Sequence, residues 1–267
     1  MRPKGTAALT DLSTSRVKRH GQAISPPAPR IYDRGSLTYA NSFESAWTRR
    51  TIKTIEWMTG KRSIIRRVRQ FEKLGPAVGP AFWPATMKVM GIDIQTPEHQ
   101  LTRVPAEGPV ILVANHPHGL VDGMVLADLI GRRRNDYRIL TRALLTGLDE
   151  SAAGYMISVP FPLEIDAQRK MVEMRAQARA HRKEGGVVAL FPSGGVATST
   201  TMLGPAIEGE WNVFTAQMIQ RTGATVVPMR FQGSNSRAYH IADKVSPLMR
   251  QGLLLHEIVR SCNKPRS

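Results

Sequence analysis

PVILVANHPHGLVDG, residues 109–123, runs from an apolar stretch through a polar loop and back into apolar sequence. PVILVAN (109–115) reads as a buried strand, and from about Val121 to Arg132 the apolar period turns helical. A strand passing through a tight loop into a helix is the first half of a strand–helix–strand unit. The pattern recurs downstream. YRILTR (137–142), YMISVPF (155–161), VVALF (187–191) and ATVVPMRF (224–231) read as strands. Asp166–Glu184, Trp211–Arg221 and about Pro247–Ser261 read as helices. This alternation predicts an α/β fold, a largely parallel twisted sheet flanked by helices. Such sheets place their sites outside the carboxyl ends of strands. Three loops in that position carry chemistry: NHPHGLVDG, FPSGG and FQGSNSR.

The α/β domain is expected over residues 93–262. A basic N-terminal helical segment, residues 37–92, precedes it. Residues 1–36 mix Ser, Thr, Pro and Arg and read as a disordered basic tail. Between Phe43 and Leu74, Ile52, Ile55, Met58, Ile64, Ile65, Val68 and Phe71 recur at helical spacing among many Arg and Lys side chains. Gly60 is expected to break or bend this stretch. Two readings stand for it: helices packed on the domain with a solvated basic face, or helices that also touch anionic lipid. In GPAVGPAFWPATMKVMGI (75–92), Phe82 and Trp83 sit among prolines. They read equally as a buried linker or as an aromatic anchor in lipid.

The 267 residues include 37 Lys and Arg against 21 Asp and Glu, a net charge of +16. That balance suits anionic partners: nucleic acid, acidic lipid headgroups or a phosphate-bearing cosubstrate. Cys262 is the lone cysteine, which excludes an intrachain disulfide and a Cys-based zinc site and fits a reducing cytoplasm. The basic N-terminus lacks the apolar core of a secretory signal, and no apolar run reaches the length of a transmembrane helix.

In the first loop, His116 lies six residues before Asp122 and His118 four before it. A carboxylate beside an imidazole fixes its tautomer and stabilises the imidazolium formed on proton pick-up. Either histidine can reach, so spacing does not choose between them. A structural alternative is a loop histidine that caps the following helix. A second reading is a metal-dependent hydrolase using His116, His118 and Asp122, since imidazoles suit zinc. Its companions are weak: the sequence after His118 is Gly-Leu-Val-Asp-Gly, and most other histidines fall in the tail, linkers or helices. No metal is expected. Ser193 in FPSGG does not form a nucleophile elbow, because Phe191 stands where the first glycine belongs. Gly194 and Gly195 instead offer backbone N–H groups for a carbonyl oxygen or a phosphate. Neither a Walker phosphate loop nor GxGxxG occurs.

Taken together, these residues resemble the lysophospholipid and glycerolipid acyltransferase superfamily, and within it the bacterial hemolysin-like branch that is related to ornithine-lipid acyltransferases. Asn115-His116 with Asp122 matches the first block. The five residues between His116 and Asp122 fit the branch's longer form, His-Pro-x-Gly-x-x-Asp-Gly. Phe191-Pro192-Ser193-Gly194 matches the third block, usually Phe-Pro-Glu-Gly, with Ser193 in place of the glutamate. Val226-Val227-Pro228 through Gly233-Ser234-Asn235-Ser236 matches the fourth. Glu56, Thr59-Gly60 and Trp211 also look like this branch, whereas the second block has no convincing counterpart. The resemblance covers about residues 45–237. It implies that His116 is the base and Asp122 holds it, and that His118 occupies a variable position. It also implies that Asn115, Gly119, Phe191, Pro192, Ser193, Gly194, Gly195, Gly233, Asn235 and Ser236 serve the substrates. Ser193 weakens the expectation of a glycerol-3-phosphate acceptor.

The implied activity is direct transfer of a fatty acyl group to a hydroxyl of a lyso-lipid or related acceptor. Acyl-CoA or acyl carrier protein is the cosubstrate, with no cofactor. The implied place is the cytoplasm, peripheral on the inner face of the cell membrane and in contact with its anionic surface, and no nucleic acid is expected. A rival of another class is a non-enzymatic protein that binds membranes or nucleic acid through its basic segment. It explains the charge and leaves the three strand-end loops without a role.

Overall fold

The computed structural model describes residues 32, 34–35, 37–75, 79–141, 150–160, 166–220, 223–262 and 264–266. The tail expected over residues 1–36 therefore lies outside the described residues, apart from Tyr32, Arg34 and Gly35. Helix α1 (Ala46–Glu56), a π turn (Trp57–Lys61) and α2 (Arg62–Lys73) form one unbroken helical stretch. Next come α3 (Phe82–Met90), β1 (Ile92–Ile94) and α4 (Glu98–Leu101). The strand–helix series begins with β2 (Val110–Ala114), α5 (Leu120–Gly131), β3 (Tyr137–Thr141) and α6 (Glu150–Ala153). It continues through β4 (Met156–Ser158), α7 (Ala167–Lys183) and β5 (Val187–Leu190). A small antiparallel pair, β6 (Thr198–Ser199) and β7 (Ala206–Ile207), precedes α8 (Val213–Gln220) and β8 (Thr225–Met229). The series closes with α9 (Arg237–Val245), α10 (Pro247–Ser261) and β9 (Lys264–Arg266), which pairs in parallel with β1.

The main sheet has five parallel strands in the order β4-β3-β5-β2-β8. This is the α/β fold the sequence predicts. Strand β2 is buried along its whole length because helices cover both faces. Val110, Leu112 and Ala114 point into a cluster shared with α3, α5 and α10. Ile111 and Val113 alternate to the other face, against Met174 and Ala178 of α7 and Phe214 and Met218 of α8. The strand order positions the site. Because β2 lies between β5 and β8, the loops after all three emerge side by side, although they are about 75 and 40 residues apart in sequence.

The N-terminal helices join the same core. Ile64, Phe71, Phe82, Trp83, Met87 and Met90 pack with Val125, Leu129 and Leu255. Phe82 is 7% and Trp83 1% exposed, so the aromatic-anchor reading of that segment fails: burial against the sheet already consumes both rings. Gly60 stays helical within the π turn and does not break the stretch. A Cβ at Gly60 would lie 2.8 Å from the Leu255 carbonyl oxygen, so glycine is what lets α10 approach so closely. His256 Nδ1 donates to the Thr59 carbonyl at 3.2 Å across this contact. None of the described helices is long and apolar enough to cross a membrane.

Candidate active site

The loop after β2 turns sharply into α5 at Gly119, whose φ of 76° lies in the left-handed region that a side chain disfavours. This turn brings the N-terminus of α5 back beneath the loop. Asp122, in the first turn of the helix, accepts four hydrogen bonds there. Its Oδ2 receives the backbone N–H groups of His118 at 2.7 Å and Gly119 at 3.1 Å, plus His116 Nδ1 at 3.0 Å. Its Oδ1 receives His118 Nδ1 at 2.9 Å. The contest between the histidines therefore has a structural answer: one carboxylate oxygen serves each ring. Burial works to raise the Asp122 pKa. The hydrogen bonds and charge of His116 and His118 outweigh it and hold the carboxyl below its ordinary value of 3.8. The helix N-terminus favours the same anion.

An ionised carboxylate only accepts, so each ring must carry its proton on Nδ1. In the neutral imidazole this leaves the lone pair of His116 on Nε2. Only His116 presents its ring to open space. It lines a cavity of about 280 Å³ at the carboxyl ends of the strands, and its ring stacks on Phe191 with centroids 3.9 Å apart. His118 is 4% exposed and does not line the cavity. A Cβ on Gly233 would lie 3.1 Å from His118 Nε2, so the fourth-block loop packs directly over that ring. His118 is better described as a second support for Asp122. The expected result for His118→Ala is a loss of about 10-fold in kcat, measured beside a much larger loss for His116→Ala, because Asp122 keeps three of its four donors.

The remaining residues implied by the sequence divide into two groups. Gly119, Phe191, Pro192, Gly194 and Gly195 line the cavity with His116. The Gly194 N–H, however, already donates to the Phe191 carbonyl at 2.9 Å. It is spent closing the turn, which corrects the expectation that it is available as an oxyanion donor. Ser193 turns away and donates to Glu208 Oε1 or the Gly195 carbonyl, each at 3.0 Å. Asn115 acts as a clamp between strand ends: Nδ2 donates to the Phe231 carbonyl at 2.9 Å, and Oδ1 accepts its N–H at 2.6 Å. Ser236 caps α9 by accepting the Tyr239 N–H at 3.2 Å, and it donates to the buried Glu257 of α10. Gly233 thus stands against His118, and neither it nor Asn235 or Ser236 is part of the described wall of the cavity. Trp211 is exposed, outside α8.

Several wall residues were not legible in the motifs. Tyr39, Arg175, Tyr239, Arg250 and Leu254 all reach the cavity from outside the three loops. Tyr39 is held by Glu56, which accepts its backbone N–H at 2.7 Å and the Thr38 hydroxyl at 2.6 Å. Burial pushes the Glu56 carboxyl up, against the pull of those two bonds and nearby lysines. The Glu56 seen in the family resemblance therefore supports a cavity wall.

Residues 96–232, α4 to the end of β8, match the family model described as Acyltransferase. The chain belongs to the acyltransferase family. It is also 29% identical over 168 residues to a lyso-glycine lipid O-acyltransferase of Phocaeicola vulgatus, a match covering 61% of this chain and 55% of that protein. The match thus spans about half the length of that curated relative. Helices α1 to α3, α9 and α10 lie outside the family segment. Tyr39, in the turn before α1, Tyr239 of α9, and Arg250 and Leu254 of α10 nevertheless line the cavity from outside that segment.

Proposed function

We propose that this acyltransferase moves a fatty acyl group from acyl-CoA or acyl carrier protein to a hydroxyl of a lyso-lipid. The observation that carries this is the His116 ring, oriented by Asp122 so that Nε2 is the free nitrogen at the cavity. Nε2 takes the proton of the acceptor hydroxyl as its oxygen attacks the thioester carbonyl. The new C–O bond forms, the C–S bond breaks, and the departing thiolate takes the proton back from Nε2. The N–H of Gly195, unlike that of Gly194, is not spent on the Phe191 carbonyl, and it is the donor proposed for the developing oxyanion. The metal-hydrolase alternative loses support because His116, His118 and Asp122 bond to one another and do not converge on a common point. Among the described residues, no group of three His, Cys, Asp or Glu side chains is arranged to hold a metal.

Two features formed largely by helices outside the family segment suit a lipid substrate. Behind Leu120, which also lines the catalytic cavity, an apolar cavity of about 110 Å³ runs between α2, α3, α5 and α10. Val68, Phe71, Phe82, Met90 and Ile258 line it, and it suits an acyl tail. Val68→Phe is expected to shift donor preference toward shorter chains, costing about 0.8 kcal/mol for each methylene excluded. A kcat/KM series over acyl length checks this. The exposed face of α1, the π turn and α2 carries Trp47, Trp57 and Met58, with Arg50, Arg62, Arg66 and Arg69 around them. Aromatic rings among cations suit an anionic interface, which supports peripheral binding to the inner membrane face. Lipid extracts of cells with and without the chain, compared by mass spectrometry, test the proposal. Diacyl product is expected to accumulate at the expense of a monoacyl precursor, and unchanged lipids would count against it.

A further inference from the structure

Helix α7 packs on β4 and β5 and sends Arg175 into the catalytic cavity. The guanidinium lies over the Phe214 ring, 5.0 Å from its centroid. Its Nε is buried without a hydrogen-bond partner, and no described residue pairs with its charge. The other cation in the wall, Arg250 of α10, is already matched by Asp243 at 2.7 Å. None of the described residues lining the cavity is an Asp or a Glu. Leaving a buried donor unmatched is costly, and an aromatic face holding a guanidinium flat pre-orients its fork of N–H groups. Asn212 and Thr215, on either side of Phe214 in sequence, line the same cavity.

The two cations approach from opposite faces of the sheet. Arg175 comes with α7 and α8, and Arg250 with α10, whereas His116 follows the strand between those layers. A substrate seated against Arg175 therefore has its charged end on the α7 side and its reacting end near His116. We propose that Arg175 anchors an acidic group of a substrate, a carboxylate or a phosphate, and so makes this an acyl-transfer site selective for anionic ligands. The word "substrate" rests on the proposed reaction; the anion site itself does not. Two sources share this chemistry: the headgroup of the lipid acceptor and the phosphates of the thioester donor.

Calorimetric titration of the full chain separates them. The probes are N-decanoylglycine against its methyl ester, and coenzyme A against pantetheine. The proteins are wild type, Arg175→Met and Arg175→Lys. Methionine keeps the aliphatic contact with Phe214, and lysine keeps the charge. Wild type is expected to favour the charged member of at least one pair by roughly 10- to 100-fold, the worth of a charge-assisted bond in a sheltered site. R175M is expected to lose that preference and R175K to keep part of it. Loss confined to the glycine pair assigns the acceptor, and loss confined to coenzyme A assigns the donor; either supports the site. Wild type and R175M that cannot be told apart on both pairs would overturn it. Because binding needs no turnover, a chain that shows the preference yet transfers no acyl group would refute the reaction alone.

Discussion

His116→Ala is expected to lower kcat for acyl transfer by about 10²–10⁴-fold, the usual contribution of a positioned general base. KM for the acceptor should move little, since the ring acts on a proton and carries little of the binding. The fold should survive, because the imidazole is held at the cavity edge by one hydrogen bond and one stacked ring. Asp122→Asn should lose activity on a similar scale for a different reason. A carboxamide offers one acceptor oxygen, so it cannot receive both Nδ1–H groups and the two backbone N–H groups that meet there now. His116 then loses the tautomer that leaves Nε2 free. The two changes combined should cost barely more than either, because they disable one unit. Steady-state kinetics on all three variants decides this, and full activity in His116→Ala with none in His118→Ala would reverse the assignment.

Arg134→Met is expected to destabilise the fold by about 3 kcal/mol while leaving the chemistry intact in the folded fraction. Arg134 lies at the other end of the sheet, where the chain enters β2, β3 and β5. It donates to the carbonyls of Gly108 and Gly185, both at 2.7 Å, and grips both oxygens of Asp136 at 2.8 and 2.6 Å. That ion pair raises the guanidinium pKa and lowers that of Asp136. Methionine fills part of the volume and leaves the Gly108 and Gly185 carbonyls, and the more distant Pro105 carbonyl at 3.3 Å, without this donor. Asp136 is half exposed and can find water, which keeps the cost near the lower end for a broken pair. Thermal unfolding should shift down by about 6–12 °C for a chain of this size. The same Arg→Met change at Arg175 should cost under about 1 kcal/mol, because its Nε has no hydrogen-bond partner, no described residue pairs with its charge, and methionine keeps the contact with Phe214.

Much of the architecture was legible because β2 and β5 are buried on both faces. Such strands must be continuous apolar runs, as VILVA and VVAL are. α10 was legible end to end, since Ser246 and Pro247 mark its start and its apolar period lasts four turns. The short pairs β1–β9 and β6–β7 were not. Two or three residues carry no period, and each strand exists only through a partner far along the chain or across a turn. α9 went unread because its signal, the Ser236 cap, fell inside a stretch taken for substrate-binding loop.

The site divides along the same line. The three motif loops were found because each follows a strong strand. That they meet depends on β2 lying between β5 and β8, which no local pattern states. Spacing left both histidines within reach of Asp122, and the family resemblance put His118 at a variable position; neither shows that each ring takes its own carboxylate oxygen. Ser193 and Gly194 kept their motif positions, yet their polar groups turned inward to close the loop. Tyr39 is separated from the loops by a long stretch of chain, and Arg250 lies on a helix of its own beyond α9. The packing of α1 and the π turn on α10, closest at Gly60, accompanies their meeting at the cavity wall.

The most direct test uses purified chain, a radiolabelled acyl thioester offered as CoA and as carrier-protein conjugate, and a panel of lyso-lipids. Label should pass to a hydroxyl of at least one acceptor as an ester, with no labelled protein intermediate, and His116→Ala should slow it by about 10²–10⁴-fold. Transfer that persists undiminished in His116→Ala, or no transfer from either thioester to any acceptor, would contradict the account.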